Sequence, residues 1–296
     1  MIKIDLVTGL LGSGKTTFIK NYINYLKSKN NKICIIVNDY GAVNVDTMIL
    51  NTLGVDIESI ASGCDYDCHI RRFKTKLITI IMKHYDYVIV EPSGIFDTDE
   101  FFDLMYEDII ESNYEINNVF CLYDINNINL SKEEEYFFVS QSSSARKIIV
   151  TKRDNRNMSI NLDYLNSIYK KFKSNRILKE SDILYNDSID YTSLNLGYCN
   201  YDHIKLQLIN QNSFESVYIL DKDINKTRLK SIVNELFKND IYGNIIRVKG
   251  FIYDTEFFEV NITKDNYLCQ TIDNGQKVLI VIGYNLNKDL IIKLFS

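Results

Sequence analysis

Gly9, Gly12, Ser13, Gly14, Lys15, Thr16 and Thr17 carry the chemistry around which this chain is organised. The run Gly9–Thr17 matches G-x-x-x-x-G-K-[ST] in full, follows the apolar residues Ile4–Val7 and opens a helical pattern. Glycines let a backbone wrap closely around a phosphate, and the loop N–H groups converge as an anion nest. The helix N-terminus adds partial positive charge. Lys15 reaches the β- and γ-phosphates of a bound nucleotide, and the Thr16 hydroxyl holds Mg²⁺. The bland alternative is a glycine turn without a ligand, which the strand–loop–helix setting disfavours.

Further polar clusters follow apolar runs, where ligands of open α/β sheets bind. Asp39, in Asn38-Asp39-Tyr40-Gly41, is placed to hold a magnesium-bound water or to orient the attacking water; Asp46 is a weaker candidate of the same kind. Glu91 ends an apolar run as a Walker-B acid does, and in Glu91-Pro92-Ser93-Gly94 the Gly94 N–H can approach the γ-phosphate with help from Ser93. Simple turns are the alternative for both. Thr151-Lys152-Arg153-Asp154 differs at one position from the Asn-Lys-x-Asp signature of guanine-binding proteins. A carboxylate at Asp154 accepts hydrogen bonds from guanine N1 and N2, a donor pair that adenine lacks, while Lys152 lays its stem across the base. Thr151 keeps a hydroxyl where the signature has an amide. GTP is therefore expected over ATP. Cys64, Cys68 and His69 offer thiolate and imidazole to Zn²⁺ or another transition metal, with Asp65 and Asp67 beside them. Two incidental thiols in a loop are the alternative.

Strands alternating with helices must position these groups. Apolar runs predict strands at 2–8, 32–37, 57–60, 86–90, 118–123 and 147–150, and helical spacing predicts helices at 15–29, 70–84, 98–112, 131–144 and 158–174. The expected fold is α/β: a P-loop NTPase domain with a mostly parallel sheet over residues 1–185, then a linker rich in Asn, Tyr, Ser and Asp at 186–213. Residues 214–296 read as a smaller α+β domain, with four strands near 244–282 in succession between two helices. The net charge of −5 argues against nucleic acid as a general partner. No apolar segment approaches the ~20 residues of a membrane span. The short amino-terminal apolar run does not read as a signal peptide, and six cysteines in 296 residues do not read as a disulfide framework, so the reducing cytoplasm is the expected compartment.

Gly9–Thr17, Asn38–Gly41, Gly63-Cys64, Glu91–Gly94 and Thr151–Asp154 occur in the order and spacing of the CobW-like GTPases, which this chain resembles. Arg247-Val248-Lys249-Gly250-Phe251 is similar to the R-x-K-G segment of that family's carboxyl-terminal domain, and Ile280–Gly283 to its closing strand. The family is related to urease and hydrogenase accessory GTPases and includes zinc-linked metallochaperones, a cobalamin-synthesis protein and nitrile hydratase activators. The resemblance implies GTP and Mg²⁺ binding, slow hydrolysis catalysed through Lys15, Asp39 and Glu91, and delivery of a metal or metallocofactor to a client metalloprotein or cofactor-dependent enzyme. A homodimer is the default assembly. The chain departs from the family's Cys-x-Cys-Cys: Cys64 matches its first position, Tyr66 and Asp67 stand at the others, and Cys68 falls one place beyond. Two rivals therefore stand beside the metallochaperone: a nucleotide-gated interaction switch without metal cargo, and a P-loop kinase or ATP-dependent ligase.

Overall fold

A computed structural model describes residues 1–39, 50, 53–61, 66–92, 98–153, 158–203, 215–264, 267–272 and 275–295. The described residues fall into two compact units, the first over 1–203 and the second over 215–295.

The first unit is a seven-stranded sheet made of β1 (Ile2–Gly9), β2 (Ile33–Asp39), β3 (Asp56–Ala61), β4 (Tyr87–Glu91), β5 (Tyr114–Asp124), β6 (Ile148–Thr151) and β7 (Ile183–Tyr185). The order is β3-β2-β4-β1-β5-β6-β7, and every neighbouring pair is parallel. Continuous apolar runs suit strands covered on both faces, and Ile148, Ile149 and Val150 of β6 are all buried. The described helices are α1 (Lys15–Ser28), α2 (Tyr66–Ile81), α3 (Thr98–Met105), α4 (Asp108–Glu111), α5 (Lys132–Ser143) and α6 (Leu162–Lys171). Helix α1 buries Phe18, Ile19, Tyr22, Ile23 and Leu26, one face at helical spacing, against Val7, Ile35, Val37 and Phe120 of the sheet. Helix α5 begins with a capping box in which the Ser131 side chain accepts from Glu134 N and the Glu134 carboxylate accepts from Ser131 N.

The second unit is a five-stranded antiparallel sheet with two helices: β8 (Glu215–Leu220), α7 (Lys226–Lys238), β9 (Asn244–Asp254), β10 (Glu256–Thr263), β11 (Tyr267–Ile272), β12 (Val278–Tyr284) and α8 (Lys288–Leu294). The order is β11-β10-β9-β12-β8. Leu229, Ile232, Val233 and Leu236 of α7 and Ile291 of α8 pack with Val248, Val260 and Val281 of the sheet. Gly250 pairs with Leu279 of β12 at φ +143°, and a Cβ there would collide with the Val278 carbonyl, which accounts for the glycine of the Arg247–Phe251 segment.

Several expected boundaries move. Helix α2 begins at Tyr66, four residues earlier than the spacing predicts, so Cys68 and His69 lie in its first turn. The single helix expected over 98–112 is two, α3 and α4, because Glu107 takes an extended conformation and its carboxylate pairs with Lys74. Strand β5 starts at Tyr114, before the apolar run, and β7 is a three-residue strand that composition does not signal. The described part of the expected linker, residues 186–203, belongs to the first unit. Leu194 is buried in the core of α1 and β5, and Asn118 Oδ1 accepts from Leu196 N and Gly197 N at 2.8 and 3.1 Å. The polar residues that suggest a linker instead cap short turns, as Asp190 does for Thr192 at 2.9 Å.

Candidate nucleotide site

The phosphate loop links β1, the central strand, to α1. Gly9 ends β1 at φ +142°, where a Cβ would sit 2.5 Å from Ser13 Oγ and 2.6 Å from Leu122 O, so only glycine fits. Gly12 and Gly14 also take left-handed φ values, +79° and +90°. Gly14 is the N-cap of α1, with no side-chain cap and no acidic residue in the first turn. That leaves the first helical N–H groups directed at the loop, as an anion site requires. The buried Ser13 Oγ has no hydrogen-bond partner among the described residues. The buried Lys15 ammonium donates to Gly9 O at 2.8 Å and Leu10 O at 3.2 Å, which lays the side chain back across the loop. Thr17 is exposed on the first turn of α1.

The other positions gather at the same carboxyl edge because all seven strands are parallel. Thr16 Oγ1 donates to Glu91 Oε1 at 3.0 Å, joining the loop to the last residue of β4. Strand β2 brings Asp39 to this edge, since Val37 pairs with Glu91 and Asp39 follows two residues on; the Asp39 side chain lies outside the description. Thr151, the last residue of β6, donates to Ser13 O at 2.8 Å and Tyr123 O at 3.3 Å. Its hydroxyl thus ties the base signature to the phosphate loop. Asp46, Cys64, Asp65, Ser93, Gly94 and Asp154 lie outside the described residues. Among the described residues, no group of three or more His, Cys, Asp or Glu side chains could hold a metal ion.

Three residues outside the sequence motifs stand beside the base signature: Asp124, Tyr185 and Asp187. Lys152 Nζ pairs with Asp124 Oδ2 at 2.6 Å, and Asp124 is the last residue of β5. The Arg153 guanidinium lies 3.9 Å from the centroid of the Tyr185 ring and forks onto Asp187, with Nη2 at 2.8 Å from each carboxylate oxygen. Asp124 carries the same signal as Glu91, an acid closing an apolar run. Tyr185 and Asp187 had none, because β7 is too short to read.

An all-parallel sheet with a glycine loop leading into an uncapped central helix defines a phosphate-loop nucleotide-binding protein. The family model for the CobW/HypB/UreG nucleotide-binding domain matches residues 3–179, and the chain belongs to that family. The chain is similar to the zinc chaperone YeiR of Escherichia coli (strain K12), 29% identical over 125 residues, covering 42% of this chain and 38% of that protein. It is also similar to the zinc chaperone YjiA of the same organism, 24% identical over 162 residues, covering 52% of this chain and 50% of that protein. The chain thus spans half or less of the length of these relatives. A solved structure of the Zn(II)-bound YjiA GTPase from E. coli aligns over 99% of this chain and 98% of its own, at 16% identity and a TM-score of 0.35. No helix among the described residues is long and apolar enough to cross a membrane.

Proposed function

We propose that this protein binds GTP with Mg²⁺ at the Gly9–Thr17 loop, hydrolyses it slowly, and uses the change of state to deliver a metal to a client metalloprotein. The observation that carries the reading is the 3.0 Å hydrogen bond from Thr16 Oγ1 to Glu91 Oε1, beside the Lys15 ammonium. A hydroxyl and a carboxylate are the hard oxygen donors that suit magnesium, so Thr16, Glu91 and Asp39 would hold it, directly or through water. The ion, when bound, offsets charge on the phosphate oxygens. Lys15 binds the β- and γ-phosphates, and the α1 N-terminus orients them. Asp39 orients the attacking water, and Gly94 senses the γ-phosphate. Asp154 reads guanine N1 and N2, with Lys152 under the base. Zinc is the favoured cargo because relatives of this chain bear the name zinc chaperone, and Cys64, Cys68 and His69 are the ligands we assign to it. A reducing cytoplasmic setting and a C₂ dimer belong to the same reading.

Tyr66 and Asp67, standing where the family has two cysteines, favour a second reading in which the same GTP switch grips a partner without metal cargo. One paired measurement separates the two: phosphate release from GTP, and zinc bound per GTP-loaded chain under anaerobic reducing conditions. We expect turnover that Lys15→Ala abolishes, and stoichiometric zinc that a Cys64→Ser/Cys68→Ser variant loses. Zinc-free protein would leave the switch alone standing. Unchanged turnover in Lys15→Ala would reject the loop as the site of hydrolysis.

A further inference from the structure

We propose that Asp124 is a positioning residue of the base subsite, fixing the Lys152 stem as a platform for the purine. The inference rests on the nucleotide reading above and assigns a role to a residue outside the motifs that suggested it.

Strands β5 and β6 run parallel with Asp124 opposite Thr151, so the carboxylate and the base signature leave the sheet at the same level. Past that level the chain turns sharply. Lys152 takes φ +55°, a left-handed conformation uncommon for a residue with a side chain. Two side chains brace the turn. Asn126 Nδ2 donates to Lys152 O at 3.5 Å, and the Lys152 ammonium meets Asp124 Oδ2 at 2.6 Å. The carboxylate is itself oriented, because its Oδ1 accepts from Asn126 N at 3.0 Å and Asn126 Nδ2 at 3.2 Å. With backbone and ammonium both fixed, the four methylenes of Lys152 bridge the ends of β6 and β5. The next side chain goes the other way: Arg153 stacks on Tyr185 and forks onto Asp187, past the end of β7. Lys152 and Arg153 therefore diverge from consecutive positions, each drawn by its own carboxylate, immediately before Asp154.

An exposed lysine loses rotamer freedom when a ligand immobilises it. Holding the stem before the base arrives removes that cost from binding. The strand ends have ties that do not use the Asp124 side chain: four register pairs join β5 to β6, and Thr151 is anchored separately to Ser13 O and Tyr123 O. Asp124→Asn keeps the shape and the Oδ1 acceptor, removes the charge, and puts an amide donor in place of the Oδ2 acceptor that holds Lys152.

The test is equilibrium titration of the full chain with GTP, GDP and inorganic tripolyphosphate in Mg²⁺. We expect Asp124→Asn to weaken GTP and GDP equally, by about tenfold, and to leave tripolyphosphate unchanged because it has no base. Lys152→Met, which keeps an apolar stem and removes the ammonium that Asp124 holds, should give the same selective loss. In that background Asp124→Asn should add nothing further. GTP affinity unchanged in both single variants would overturn the inference, as would a loss of tripolyphosphate affinity by the same factor as GTP. Failure of the unmutated chain to bind GTP would overturn the nucleotide reading, and this inference with it.

Discussion

Asp5 is wholly buried in β1, four residues before the phosphate loop, and three donors converge on its carboxylate. Tyr22 Oη reaches Oδ2 at 2.9 Å, and the side-chain amides of Asn117 and Asn118 reach Oδ1 at 2.7 and 3.0 Å. Both asparagines can face one acid because the β1–β5 register shifts between Ile4 and Asp5, a bulge that inserts Asn117. Burial outweighs the hydrogen bonds and raises the Asp5 pKa from 3.8 to about 6. The folded chain therefore holds a proton that the unfolded chain releases at lower pH. The stability from this group is complete below about pH 4 and is lost as pH rises through about 6. Urea unfolding should find the unmutated protein gaining about 1.4 kcal/mol relative to Asp5→Asn on going from pH 7.5 to pH 5; parallel pH profiles would contradict it. Gly9→Ala makes a different demand, since the Leu122 carbonyl 2.6 Å from its new Cβ is backbone and cannot swing aside. We expect a loss of about 3 kcal/mol in urea unfolding together with loss of GTP binding. At this scale the loop residues were legible because their spacing is dictated by one anion. The bulge was not, since it depends on which asparagine β1 meets across the sheet.

Among the elements, the segment 189–201 is the one that composition misread. Its Asn, Asp and Ser residues resemble a solvated connection, yet Leu194 packs with Phe18, Ile19 and Phe120, and Tyr191 stacks on Tyr22 and Tyr25 with ring centroids 6.3 and 6.0 Å apart. Gly197 forms a bridge with Asn118, the residue whose amide holds Asp5. The helix that follows the phosphate loop and the strand beside it are thus clamped by chain from 70 or more residues downstream. Leu194→Ala should cost about 2–4 kcal/mol in urea unfolding, as a core truncation does; in a true linker the same change would cost less than ~0.5 kcal/mol. Helix α1 and β6 were readable because their apolar periodicity is local. The clamp was hidden because it is made of pairings between residues distant in sequence, and a single apolar residue such as Leu194 carries no period.

Across the whole molecule, alternating strands and helices in the first two thirds and successive strands in the last third foretold a parallel sheet and an α+β unit. Strand order was not foretold. β4 lies between β2 and β1, and only that order sets Glu91 against Thr16 and level with Val37. The chemistry was therefore visible as isolated motifs, and the sheet converts them into one edge at which phosphate, magnesium and base ligands can meet. A guanine nucleotide binding at that edge is the premise of the proposed function. Calorimetric titration of the full chain with GTP and with ATP, each in Mg²⁺, measures this directly. GTP should bind at least about tenfold tighter than ATP, a difference that Asp154→Ala removes. Equal affinities for the two nucleotides, or no binding of either, would contradict it.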